Sequence, residues 1–410
     1  MDARKLGRLR KDLALFLDDV VGTLGHARRR RWCETYVRGL LLDGHRKSIE
    51  PMAARLCVVE QGTEDYEQAL QQFLNQSPWD AQVVRDGLQT WIARQFGTDG
   101  ALILDDTGFP KQGTHSVGVA RQYTGTLGKI ASCQVAVTLQ FATERDVVAL
   151  DAQLYLPQVW AEDRDRCRSA GIPDGVGYQP KWQLALGMIR RARAQGFAGI
   201  VLADSLYGSV TEFREQLQAE GGTFCVGIDS TLKVIAADTD LGPIPEYRGR
   251  GQPPTRPLLV RTRPSSLSVR QWAVQHAAHF RKVTWRQGSK GKMTSRFAAW
   301  QVRPAHKLSA GKEPRAACWL LAEWPPDAEH PTKYFFSNQP PSTSLKHLVR
   351  TAKNRWWIEH SYRELKDELG LDHFEGRSWQ GWHHHVVLVL LAYAFLQALR
   401  RQRSKKRLPL

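Results

Sequence analysis

With 410 residues, 42% of them apolar and 24% charged, the chain can build two or three domains with real cores. Lysine and arginine outnumber the acids 58 to 41, a net charge of +17, which favours a polyanionic partner, nucleic acid first. None of the six cysteines forms a C-x-x-C pair, and the longest apolar run, residues 386–396, is only 11 long; zinc-site spacing, a disulfide framework and a membrane span are excluded, and a reducing cytoplasm is the expected setting.

Residues 1–95 read as helices with short breaks, carrying four consecutive arginines at 28–31 and further cations at Arg38, Arg46 and Lys47. A small basic helical domain of this kind suits DNA-end binding, with plain packing or oligomerisation as the bland alternative. Ser48 stands as an N-cap for one of its helices. Residues 100–106, G-A-L-I-L-D-D, form a short apolar run closed by two acids, which predicts a buried strand ending in Asp105 and Asp106. Side chains alternate along a strand, so only one of the two shares a face with Leu102 and Leu104; Asp106 is the expected functional acid and Asp105 the fallback. The glycine-rich stretch that follows reads as a loop or long hairpin connection. Its G-T-L-G-K piece lacks the first glycine and the Ser or Thr of a phosphate-binding loop.

Strands are expected at 131–141 and 147–156, a helix at 182–195, and then A-G-I-V-L-A-D, a second buried strand (200–203) closed by an acid, Asp204. A helix at 210–220 and a strand at 224–228 complete the unit. Residues 229–345 are richer in Pro, Thr and Arg and alternate in places, which predicts a mostly β insertion. Within it, the basic segment 281–296 holds Trp285 among Arg286, Lys290 and Lys292. Cations track a phosphate backbone and an exposed ring can stack on an unpaired base; the alternative is that Trp285 and Trp300 belong to a small core.

Residues 355–370 read R-W-W-I-E-H-S-Y-R-E-L-K-D-E-L-G, a helix stopped by Gly370. At about 100° per residue, Ile358, Tyr362, Leu365 and Leu369 share one face, with Arg355, Glu359 and Lys366 together along its border. The His383–His384–His385 run is a poor metal site, because consecutive helical residues do not converge. The tail after residue 400 is basic.

The helix resembles the signature helix of bacterial insertion-sequence transposases of the DDE type, which reads Tyr, two residues, Arg, three residues, Glu, six residues, Lys. Anchored on Glu359, the pattern places Arg355 and Lys366 on its cations; its Tyr position falls on Ala352. The resemblance implies an α/β fold with a ribonuclease-H-like core (96–228 and 346–410) interrupted by the β insertion (229–345) and preceded by the N-terminal helical domain (1–95). It further implies a catalytic, metal-binding triad of Asp106, Asp204 and Glu359 that holds two Mg²⁺ ions, with Mn²⁺ as a substitute. Arg355 and Lys366 would hold phosphates, and an insertion-domain tryptophan, Trp285, would hold a flipped base. The expected activity is cleavage at transposon ends and strand transfer into target DNA through a hairpin intermediate. The expected partners are double-stranded DNA and a second copy of the chain in a homodimer. Two other classes fit parts of the pattern: a ribonuclease-H-like endonuclease that cuts without joining, and a non-catalytic DNA-binding descendant.

Overall fold

The computed structural model describes residues 3–61, 63–239, 246–247, 249–251, 266–288, 291–305 and 315–407. The chain forms two compact units, Met1–Gly199 with Trp356–Leu410, and Ile200–Arg355.

The first unit opens with five helices: α1 (Ala3–Val21), α2 (Ala27–Leu41), α3 (Ile49–Glu60), α4 (Tyr66–Asn75) and α5 (Ala81–Phe96). Asp65 and Asp80 start α4 and α5 by accepting bonds from Gln68 N and Gln82 N. Ser48 is the N-cap of α3, without a side-chain bond. Four strands follow: β1 (Ala101–Pro110), β2 (Ala120–Thr124), β3 (Lys129–Ala142) and β4 (Val147–Leu154). The stretch after the two acids thus contains a further strand, β2, where sequence suggested only a connection. β3 pairs antiparallel with β1, β2 and β4. Short helices α6 (Gln158–Ala161) and α7 (Arg164–Ser169) lead to α8 (Lys181–Ala194).

In the second unit, β5 (Ile200–Ala203) is followed by α9 (Ser205–Gly208), α10 (Thr211–Ala219), β6 (Phe224–Ile228), β7 (Lys233–Ala236) and β8 (Leu267–Ser268). Then come α11 (Val269–Gln275), β9 (Arg281–Gly288), β10 (Gly291–Pro304), β11 (Cys318–Trp324), β12 (Lys333–Ser337) and α12 (Leu345–Lys353). The strands run in the order β5-β6-β12-β11-β10-β7-β8, with β9 on β10. β5 and β6 are parallel and β6 pairs antiparallel with β12, so the sheet is mixed. The last strand of the region 229–345, β12, is hydrogen-bonded to β6, through Tyr334 opposite Ile228 and Phe336 opposite Val226.

The chain returns through a 3₁₀ turn (Asn354–Trp356), α13 (Trp357–Arg363) and a π-helical turn (Glu364–Glu368). The single straight helix read from the sequence is thus three segments, and the one-stripe placement of Arg355, Glu359 and Lys366 does not hold across them. Gly370 ends the run as expected, at φ 68°, where an L side chain is strained. The last helix, α14 (Trp379–Arg407), packs on α2, α4, α5 and β4. Trp379–Arg403 has the length and apolar character of a membrane-crossing helix, and 83% of that window is buried inside the protein. The N-terminal helices wrap this core helix, and residues 1–95 fall in the first unit. The six cysteines are free.

Candidate catalytic site

The register of β1 on β3 is unbroken from Ala101 opposite Ala142 to Pro110 opposite Cys133. Side chains along β1 therefore alternate without a bulge, and the two acids face opposite ways. Asp105 stands opposite Thr138. The Thr138 hydroxyl donates to the Asp105 carbonyl (3.3 Å) and accepts from the Tyr362 hydroxyl of α13 (2.5 Å). Two residues along β3, Gln140 is bonded by Ser361, also of α13. On the same face of β1, Phe109 lies 6.2 Å from the Trp382 ring of α14. This is the face covered by α13 and α14.

Asp106 lies on the other face. Its carboxylate is bonded by the Lys181 ammonium at the start of α8. Lys181 in turn sits 5.3 Å from the centroid of the Tyr155 ring. Burial and a bond to Tyr178 push the Tyr155 hydroxyl up to about 12. Asp105, the fallback acid, is thus the one on the α13 face, and its Oδ1 accepts from Asp106 N at 2.9 Å. Alternation told the two acids apart, but which helix would cover which face is a tertiary fact.

On α13, Ile358 and Ser361 are buried while Glu359 is exposed, and among the described residues no hydrogen bond or ion pair engages its carboxylate. Its neighbour Glu364 is different. It is held by Arg400 and by Gln397 Nε2 (2.9 Å), both on α14. So Glu364 is a packing acid and Glu359 the available one. Lys366 donates to the Gly108 carbonyl of β1 (3.0 Å) and to the Thr126 hydroxyl (3.0 Å). Burial lowers its pKa, against the pull of Asp372 and Asp367. Its ammonium braces the end of β1.

In the second unit, Asp204 follows β5 and caps α9, its carboxylate accepting from Leu206 N at 3.0 Å. Arg355 Nη2 stands 3.9 Å from its other oxygen. Trp285 is half-buried on β9. Its ring meets Phe297 edge-on at 5.6 Å, and the Lys353 ammonium lies 4.8 Å from its centroid. Lys353 is itself paired with the buried Glu323. These contacts give Trp285 a packing role between the β9–β10 hairpin and α12. Arg286 and Lys292 are exposed on that hairpin; Lys290 lies outside the described residues.

The three histidines of α14 are buried and serve structure. The Tyr36 hydroxyl donates to His385 Nδ1 (2.8 Å), and His385 Nε2 donates to the Gly370 carbonyl (3.0 Å). His383 Nδ1 donates to the Trp379 carbonyl at 2.9 Å, and His384 bonds main-chain carbonyls of residues 74 and 79.

Among the described residues, no three His, Cys, Asp or Glu side chains gather into a metal cluster. The donors on the α13 side, Asp105 and Glu359, are oxygen only. That suits Mg²⁺, which takes one or two carboxylates and completes its shell with water and substrate phosphates. Lys181 escaped the sequence reading. It follows Pro180 at a helix start, a pattern that signals a helix and nothing about an ion pair 75 residues away.

The DDE superfamily endonuclease profile matches residues 19–292. A protein of Microchaete diplosiphon described as a probable transposase for insertion sequence element IS701 is 25% identical over 339 residues, 82% of this chain and 74% of its own length. Among solved structures, a piggyBac transposase synaptic complex with hairpin DNA is similar at a TM-score of 0.45 and 11% identity, over 92% of this chain and 67% of that one.

Proposed function

The chain belongs to the DDE superfamily of endonucleases, and on that premise we propose that it is an insertion-sequence DNA transposase, cutting at transposon ends and joining them to target DNA. The observation that carries this reading is the α13 side of β1. There α13, which carries the exposed Glu359, is tied through Tyr362–Thr138 and Ser361–Gln140 to β3, whose Thr138 stands opposite Asp105 of β1. The net charge of +17 and the description of the Microchaete diplosiphon relative support DNA as the substrate.

In this proposal Asp105, Asp204 and Glu359 are the carboxylates that hold two Mg²⁺ ions, with Mn²⁺ as a substitute. When bound, those ions activate a water and stabilise the leaving oxygen of a phosphodiester. The protein's own groups have separate tasks. Asp106, paired with Lys181, fixes β1 from behind. Lys366 fixes its far end through the Gly108 carbonyl. Arg355 holds the Asp204 carboxylate and offers a planar guanidinium to a phosphate. Arg286, Lys290 and Lys292 follow the DNA backbone. The helical residues 1–95 bind the element's end, where Arg28 and Arg29 line a 310 Å³ hollow with Trp32 and Gln72.

A ribonuclease-H-like core is part of the proposal, supported by the succession of antiparallel β1, β3 and β4, helix α8, and parallel β5 and β6. A hairpin intermediate, a homodimer and a cytoplasmic setting also belong to it. The test is a strand-transfer assay: pre-cut end DNA, target plasmid, Mg²⁺ and the full chain. Joined product is expected. Metal-dependent cutting with no joined product would instead favour the endonuclease that does not join.

A further inference from the structure

Arg214 is a buried cation without a buried anion. It is 5% exposed, and among the described residues no carboxylate pairs with it. Glu215, next to it in sequence, is taken by Arg315 at 2.8 Å. Two features make this placement costly. A charge removed from water is expensive unless it is paired. The residue also sits in the first turn of α10, the end where a helix disfavours cations. A side chain needed only to fill space here would be apolar.

What the guanidinium does hold is main chain. Nη1 donates to the Gly208 carbonyl and to the Val210 carbonyl (3.3 Å), and Nη2 donates to the Thr211 hydroxyl (3.2 Å). The Phe336 ring lies 5.3 Å from its central carbon. Gly208 is the last residue of α9, the single turn that Asp204 caps. That turn is pressed onto β6: a Cβ on Gly208 would come within 1.9 Å of the Gly227 carbonyl oxygen. The Ser209 hydroxyl accepts from Asp229 N at 3.0 Å. Asp204 is therefore the half-buried start of a short turn whose other end is clamped from three sides, with Arg214 the clamp that also satisfies its terminal carbonyls.

We infer that Arg214 is a positioning residue for Asp204, setting the direction of its carboxylate through the α9 turn. The inference rests on the proposed role of Asp204 as a metal-holding acid. Residues that orient a metal's ligands commonly govern affinity by about 10–100-fold when removed.

The test is Mn²⁺ binding to the full chain, followed by electron paramagnetic resonance, for wild type, Arg214→Lys, Arg214→Met and Asp204→Asn. Arg214→Lys keeps the charge but loses the planar fork whose two nitrogens hold the Gly208 and Val210 carbonyls and the Thr211 hydroxyl together, so it reads the effect even if Arg214→Met fails to fold. The expected result is a half-saturating Mn²⁺ concentration raised about 10–100-fold in a folded Arg214 variant, with metal-free binding to end DNA unchanged. A folded Arg214→Lys protein with wild-type Mn²⁺ binding would overturn the inference. Asp204→Asn keeps the two failures apart: if it too binds Mn²⁺ as wild type does, the role of Asp204 is what fails.

Discussion

At the scale of single residues, the pair Asp105–Asp106 shows how adjacent acids on a strand take separate work. Alternation makes them face opposite ways, and each face imposes its own partner: Thr138 and α13 for one, Lys181 for the other. The Lys181–Asp106 pair is mostly shielded, with side chains 23% and 17% exposed. Removing the cation leaves a shielded carboxylate without its partner, at a cost of about 1–3 kcal/mol. Lys181→Met is thus expected to destabilise the chain by that amount. Adding Asp106→Asn should recover a good part of it, measured as a double-mutant cycle in urea. A double variant that merely adds the two single losses would show that the pair does not couple. The sequence made the two-faced arrangement readable. It could not assign the faces, because nothing local at Asp105 or Asp106 encodes the position of α8 or α13.

Among the elements, those with a strong local signal were legible. Gly370 stops a helix because it takes φ 68°. The apolar run 386–396 is the middle of α14, buried from Val386 to Phe395. Less legible was the break of the signature helix into 3₁₀, α and π segments, since its apolar spacing is compatible with one regular helix. Ser361 on Gln140 and Glu364 on Arg400 are tertiary bonds made by successive segments. The buried histidines of α14 carry a pH prediction. Burial lowers His383 to about 3 and His385 to about 4, from 6.5. Both are neutral in the fold, while the unfolded chain takes up protons below pH 6.5. Their contribution is complete above 6.5 and is lost as pH falls from there toward 4. At pH 5 each costs about 2 kcal/mol relative to pH 7. Thermal unfolding should therefore occur at markedly lower temperature at pH 5 than at pH 7, and His385→Gln should narrow that difference. An equal fall with and without His385 would contradict the assignment.

For the whole molecule, composition already pointed to a polyanion, and the order of apolar runs, acids and helices gave the αβ class. The domain boundaries were not legible. Contacts cross the positions 95 and 228: α14 gathers the N-terminal helices, and β12 pairs with β6 more than a hundred residues earlier in the chain. Contacts of such separation leave no trace in a local window. In the proposed function Asp105, not Asp106, acts with Asp204 and Glu359 in cutting DNA. The most direct measurement is cleavage of the element's own end DNA in Mg²⁺ by wild type, Asp105→Asn, Asp106→Asn and Glu359→Gln, with binding of each to the same DNA recorded alongside. Asp105→Asn and Glu359→Gln are expected to bind and not to cut, while Asp106→Asn cuts at a reduced, measurable rate. Cutting by Asp105→Asn together with a silent Asp106→Asn would contradict it.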